Sequence, residues 1–220
     1  SSMLEDMQIE GGSDLQLVTP SLSFQGSDAT GGAFNIRGIT NLAVSPTAES
    51  GVEIHVNDMP VGATTMQDGD FLDMERIEVL RGPQGTLFGK NSVGGVINLI
   101  TAKPQFGEAF GSAGIDVGSY DLLKTKLMLN IPLGESLAMR IAASSNDRDG
   151  DIKNIYSKAK TSHVNNRDSD AYRLSIAWNA SDRTDVLFVH ENYSENSMRH
   201  YVNNVYCQRD PSFVSGCTPG

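Results

Sequence analysis

The chain has 220 residues, a formal charge of −10, and 39% hydrophobic and 7% aromatic residues. That apolar content is too rich for a disordered chain, and the length suffices to bury a core. Only 17 Lys and Arg are spread along the chain, which speaks against nucleic acid as a partner because phosphate neutralisation needs clustered cations. No run of about 18 apolar residues occurs, so no transmembrane helix is expected, whereas barrel strands of about 9–11 alternating residues escape such a window. Residues 1–20 carry neither a basic n-region nor an apolar h-region, so the expectation is either a cytoplasmic protein or a start inside a longer one.

Residues 1–105 combine glycine with short apolar runs. Val52, Glu53, Ile54, His55 and Val56 alternate as in a half-buried strand, and Asn57, Asp58, Met59 and Pro60 follow as a turn. Residues 71–76 fit a helical turn. Residues 76–81 alternate again and close on Gly82-Pro83, and residues 93–100 form a third strand. These elements predict a small α+β globule with glycine-bearing loops.

From about residue 109 the period becomes two. Ala113, Ile115 and Val117 alternate with Ser112, Gly114 and Asp116; Leu123, Leu127, Leu129 and Ile131 with Lys124, Lys126, Met128 and Asn130. Leu137, Met139, Ile141 and Ala143 alternate with Ala138, Arg140, Ala142 and Ser144, and Tyr172, Leu174, Ile176 and Trp178 with Arg173, Ser175, Ala177 and Asn179. A fifth run spans residues 185–193, with ambiguous faces because Val186, Leu187, Phe188 and Val189 are all apolar. Short connections at 131–135 and 180–183 alternate with long polar ones at 146–170 and from 194 onward. Transmembrane barrels show this pattern, and a soluble antiparallel sandwich shows the same face alternation.

Cys207 and Cys217 enclose nine residues, either as two unrelated thiols or as a loop disulfide that requires an oxidising compartment.

The unbroken segment 74–101, from Met74-Glu75-Arg76-Ile77-Glu78-Val79-Leu80-Arg81-Gly82-Pro83-Gln84-Gly85 through Phe88-Gly89-Lys90-Asn91-Ser92-Val93-Gly94-Gly95-Val96-Ile97-Asn98, resembles the plug of TonB-dependent outer-membrane receptors. Asn35-Ile36-Arg37-Gly38-Ile39 is similar to the family's Ile-Arg-Gly element. Residues 51–61 resemble the strand and turn after it, with Asn57-Asp58 where Asp-Gly is commoner. More weakly, Tyr120, Pro132-Leu133, residues 147–150 and Trp178 resemble the first barrel strands.

The resemblance implies an α+β plug domain over 1–105 and the first five or so strands of an antiparallel transmembrane β-barrel over 106–220, an incomplete barrel. It implies a receptor of the Gram-negative outer membrane, in contact with its lipid, that is energised by TonB and imports a large scarce nutrient such as a ferric siderophore. No cofactor and no enzymatic activity are expected. The TonB-recruiting segment has no match in residues 1–20 and is expected outside the chain, together with the rest of the barrel. Gly38, Glu78, Gly82, Pro83, Gly85, Gly89, Gly94 and Gly95 fall on the plug motif. Arg37 and Arg81 fall where two plug arginines pair with barrel carboxylates and lock the plug; the alternative is two ordinary surface charges. Export through an oxidising periplasm turns the balance towards a Cys207–Cys217 disulfide in an exterior loop.

Other chemistries fit less well. Residues 85–91 approach a phosphate-binding loop but are one residue short, with Asn91 in place of the magnesium-binding hydroxyl. His190-Glu191 starts a zinc-protease motif, but Ser194 stands where its second histidine belongs. Asp147, Asp149 and Asp151 suggest a calcium loop, yet Gly150 is misplaced and Lys158 replaces the bidentate carboxylate. Asp68, Asp70, Asp73 and Glu75 read as turns and a helix start. His55, His163, His190 and His200 lack ligand spacing. Two function classes remain, a transporter and a soluble β-rich binding module. They differ in whether the strands' apolar faces point outward or into a core.

Overall fold

The computed structural model describes residues 7, 9–27, 31–40, 51–61, 71–154 and 161–198. Near the start, the Asp14 carboxylate accepts the N–H groups of Glu10 and Gly11 at 2.9 and 3.0 Å. These bonds satisfy donors that the 3-10 turn Gly12–Asp14 and the one-turn helix α1 (Leu15–Val18) leave open. The antiparallel hairpin of β1 (Leu22–Ser27) and β2 (Gly31–Ile36) follows, with Phe24 opposite Phe34 and their rings 4.9 Å apart.

A four-stranded sheet completes the globule. Its strands are β3 (Val52–Val56), β4 (Met59–Pro60), β5 (Met74–Arg81) and β6 (Gly95–Thr101), with helix α2 (Gly85–Phe88) between the last two. The order is β4-β3-β6-β5, with β3 parallel and β5 antiparallel to β6. The three strands expected from alternation therefore share one sheet. β6 lies at its centre because Val96, Ile97 and Ile100 bury apolar surface on both faces. Ile97 joins Ile9, Leu15, Leu22, Phe34, Ile36, Val52 and Ile54 in the core.

The turn at 57–58 has positive φ at both residues, 50° and 66°, as a two-residue type I′ hairpin demands. Glycine is absent because the side chains work as anchors on β6. Asn57 donates to Thr101 Oγ1 and accepts from its N–H, both at 3.0 Å, and Asp58 accepts from Asn98 Nδ2 at 2.7 Å. Met59 and Pro60 are strand rather than turn.

The helical turn expected over 71–76 is not formed. Residues 71–73 are irregular, Asp73 has φ +46°, and β5 already begins at Met74, so Glu75 opens no helix. Tertiary hydrogen bonds override the local preference: the carbonyl of Asp73 accepts from Ala102 N at 3.0 Å and that of Leu72 from Arg173 at 2.7 Å.

Residues 110–195 form a five-stranded antiparallel sheet, the wall. Its strands are β7 (Phe110–Gly118), β8 (Leu122–Pro132), β9 (Leu137–Arg148), β12 (Arg167–Ser181) and β13 (Thr184–Glu195), in the order β13-β12-β9-β8-β7. The small hairpin of β10 (Ile152–Lys153) and β11 (His163–Val164) sits between β9 and β12. The connection expected over 146–170 is thus shorter than its polarity suggests, since β9 and β12 carry their pairing up to Arg148 and Arg167.

Period two sorts the wall into two faces. Leu123, Leu127, Leu129, Tyr172 and Trp178 point away from the globule and are exposed. Lys124, Asn130, Arg140, Arg173 and Ser175 point toward it and are buried. Register resolves the ambiguous last strand: Val186 and Phe188 share the outward face with Trp178 and Ile176, and Leu187 and Val189 the inward face with Ala177 and Ser175.

Candidate functional site

The chemistry of this chain concentrates where the globule meets the inward face of the wall. Alternation aims Lys124, Lys126 and Asn130 inward from β8, Arg140 from β9 and Arg173 from β12. Two irregular segments of the globule, residues 9–10 and 71–73, reach them. These segments are joined by a 2.7 Å hydrogen bond from Phe71 N to Glu10 O.

Glu10 bridges two lysines, with Oε2 2.7 Å from Lys124 Nζ and Oε1 2.8 Å from Lys126 Nζ. Asp73 receives a two-pronged contact from Arg140, Nε to Oδ2 at 2.6 Å and Nη2 to Oδ1 at 2.7 Å. Arg173 donates Nη1 to Leu72 O at 2.7 Å and to Asp73 O at 3.3 Å, and Nε to Glu191 at 2.7 Å. Asn130 accepts from Gln105 N at 2.8 Å and donates to the carbonyls of Gln105 and Glu108 at 2.9 Å, which fastens the connecting segment to the wall. The Phe110 ring lies 5.6 Å from the Arg140 guanidinium carbon.

These pairs differ in weight. Side-chain exposures of 8% for Arg140 and 14% for Asp73 place that pair out of water, where removing one partner strands a buried charge at a cost of about 3–5 kcal/mol. Glu10 and Lys126 are each about two-fifths exposed, and solvent reduces such pairs to ~0–1 kcal/mol. Burial pushes the Glu10 carboxyl up, but hydrogen bonds from Lys124 and Lys126, and then their charges, outweigh it and hold the group below its ordinary 4.5.

Arg37 and Arg81 converge elsewhere, at residues 20–21. Arg37, exposed and with φ +54°, donates its N–H to Ser21 O at 3.0 Å. Arg81, also exposed, reaches Pro20 O with Nη1 at 3.4 Å. Neither forms an ion pair among the described residues. Gly38, Gly82, Gly89 and Gly95 have positive φ, and Gly94 packs so that a Cβ would lie 3.0 Å from Gly51 O. Gly85 opens α2 after Pro83, and Glu78 accepts from Arg76 at 2.7 Å and from Asn98 at 3.3 Å.

Glu10, Asp73, Lys124, Lys126, Arg140 and Arg173 escaped sequence reasoning as a site. The available signal was ionisable residues in phase on one face of apolar strands. His190 and Glu191 stand on a strand and so face opposite ways: His190 lies beside the outward Tyr172, and Glu191 pairs inward with Arg173. Asp151 accepts from Asn165 at 2.7 Å. No group of three or more His, Cys, Asp or Glu suited to a metal occurs among the described residues. Cys207, Cys217, His200, Asp68, Asp70 and Lys158 lie outside them.

Residues 1–96 match the family model described as the TonB-dependent Receptor Plug Domain. The chain is 33% identical over 127 residues to the metal-pseudopaline receptor CntO of Pseudomonas aeruginosa, covering 56% of this chain and 16% of that protein. It is 29% identical over 136 residues to the pesticin receptor of Yersinia enterocolitica, covering 61% of this chain and 20% of that one. The chain thus spans a fifth or less of these relatives' length. The crystal structure of the ferric yersiniabactin uptake receptor FyuA from Yersinia pestis superposes with a TM-score of 0.74 and 24% identity over 86% of this chain and 29% of that one, a likeness of fold.

Proposed function

We propose, from a chain whose residues 1–96 belong to the TonB-dependent receptor plug family, that it supplies the plug and the first barrel strands of a ligand-gated receptor in the Gram-negative outer membrane. Residues 1–105 form the plug and 106–220 enter the barrel. Among the described residues the wall is an open antiparallel sheet, a sector of a barrel.

One observation carries the reading. The wall turns Leu123, Leu127, Leu129, Tyr172 and Trp178 away from the globule and Lys124, Asn130, Arg140 and Arg173 toward it. A soluble sandwich would bury the first set and solvate the second. A barrel in lipid needs the reverse, an apolar outside around a polar lumen. Tyr172 and Trp178 stand six residues apart on β12, about 20 Å along the strand, as aromatics flanking an apolar band would.

The activity of the whole protein is import of a large, scarce nutrient, energised by TonB. A ferric siderophore fits best, because CntO is named for a metal-pseudopaline complex and FyuA for ferric yersiniabactin. Arg37 and Arg81 are assigned to a plug lock with barrel carboxylates further along the protein, and Cys207 and Cys217 to a disulfide in an exterior loop. Uptake of radiolabelled ferric siderophores by cells with and without the full-length gene tests the reading. Loss of uptake of one class on deletion supports it; recovery of the protein in the soluble fraction overturns it.

A further inference from the structure

Arg140 differs from the other two buried inward cations, Lys124 and Arg173. Lys124 stands opposite Asp116 in the β7–β8 register, and Arg173 holds Glu191, so each has a carboxylate on the wall itself. Arg140 has none among the described residues. Its cross-strand neighbours are Asn130 and Ser175, and the Phe110 ring covers one side. Its acidic partner among the described residues comes from the globule, through Asp73 on an irregular strap with left-handed backbone. The strap is otherwise held to the wall by backbone carbonyls on Arg173. Beside the pair opens a cavity of about 490 Å³ bordered by Met74, Glu75, Pro104, Phe110 and Met128.

A guanidinium edge offering Nε and Nη2 fits the two oxygens of a carboxylate. We propose that Arg140 is an anion station of the barrel wall, filled at rest by the Asp73 carboxylate and open to a carboxylate-bearing ligand once residues 71–73 withdraw. The same pair then seats the plug and gives an anionic cargo a foothold in the lumen, with one carboxylate exchanging for another. The inference rests on the plug-and-barrel reading.

Chemical rescue tests it. The full-length receptor is reconstituted in liposomes holding a large trapped dye, and efflux is compared for wild type, D73A, D73N, D73A/R140A and a plug-deleted control. D73A is expected to leak several-fold faster than wild type, and formate or acetate to restore tightness where chloride at equal ionic strength does not. D73N, which keeps the side chain's volume, should leak as D73A does but without rescue, because the amide fills the space formate would take, and it guards against a folding failure. D73A/R140A should leak without rescue. A D73A and D73N pair as tight as wild type overturns the proposal, as does a D73A leak that formate leaves unchanged or rescue that persists without Arg140. If plug deletion itself opens no pore, the plug-and-barrel reading falls and the station with it; if deletion opens a pore but formate fails, the station alone is wrong.

Discussion

At the scale of single residues, burial decides which charges matter. Glu10 makes two short ion pairs, yet its weight depends on pH because its carboxyl sits below its ordinary 4.5 in the folded chain. A depressed carboxyl contributes fully above that ordinary value and loses its contribution as pH falls below it through the depressed one. Protection of the Phe71 amide, which bonds to Glu10 O, against hydrogen exchange should therefore fall, relative to the intrinsic rate at each pH, on acidification below 4.5 in wild type and be lower at neutral pH in E10Q. A Phe71 amide indifferent to both changes would dissociate the lysine bridge from the strap. Gly95 gives a sharper case. Its φ is +151° and a Cβ there would lie 2.3 Å from Leu80 O. Gly95→Ala should cost upward of ~2 kcal/mol by denaturant unfolding of the plug, because both backbone strain and a main-chain clash oppose it.

At the scale of elements, alternation was legible wherever one face is apolar, and it placed Lys124, Arg140 and Arg173 on the same side of their strands. The faces of residues 186–189 were not legible, because four apolar residues in a row carry no phase; only the pairing of Val186 with Trp178 supplies it. The segment at 71–76 misled for a related reason. Its local sequence suits a helical turn, but hydrogen bonds from residues 29 and 100 positions away claim its carbonyls, and such partners leave no trace in local sequence. Asp73 was read as a turn former, and its role became visible only across the interface. The outward face permits a test of orientation. Leu129→Arg should destabilise the receptor in lipid by roughly 2–4 kcal/mol, as lipid-facing charges near the midplane do. Ser144→Arg, on the inward face, should cost much less. Equal costs in an outer-membrane refolding assay would contradict the assignment of faces.

For the whole molecule, the plug-to-wall contacts described here pair plug acids with wall bases, while the proposed arginine lock would pair the opposite signs. If both operate, the two sets are separable. Replacing Arg37 and Arg81 together by alanine in the full-length receptor should raise uptake of large antibiotics while Asp73 and Arg140 remain joined and the barrel still assembles. Normal impermeability and normal transport in that variant would leave the two arginines as surface charges. The proposed Cys207–Cys217 link belongs to this scale as well: thiol labelling of native outer membranes should find neither cysteine reactive before reduction, and the closed loop should add roughly 2–3 kcal/mol of local stability in the entropy account.

The hydrogen bond from Phe71 N to Glu10 O has a mechanical consequence. Among the described residues, residue 10 lies ahead of every strand of the globule, and residue 71 is two positions from Asp73. Tension applied from the N-terminal side would pass through one backbone link into the strap before it loads the β3–β6 ladder. The contacts nearest the pulled end, the lysine bridge first, would then yield before the more distant ones rather than sharing the load as rungs in shear. A weak pull can undo in sequence an attachment that would resist the same pull all at once, so the plug can be firmly seated at equilibrium and still be drawn out from one end.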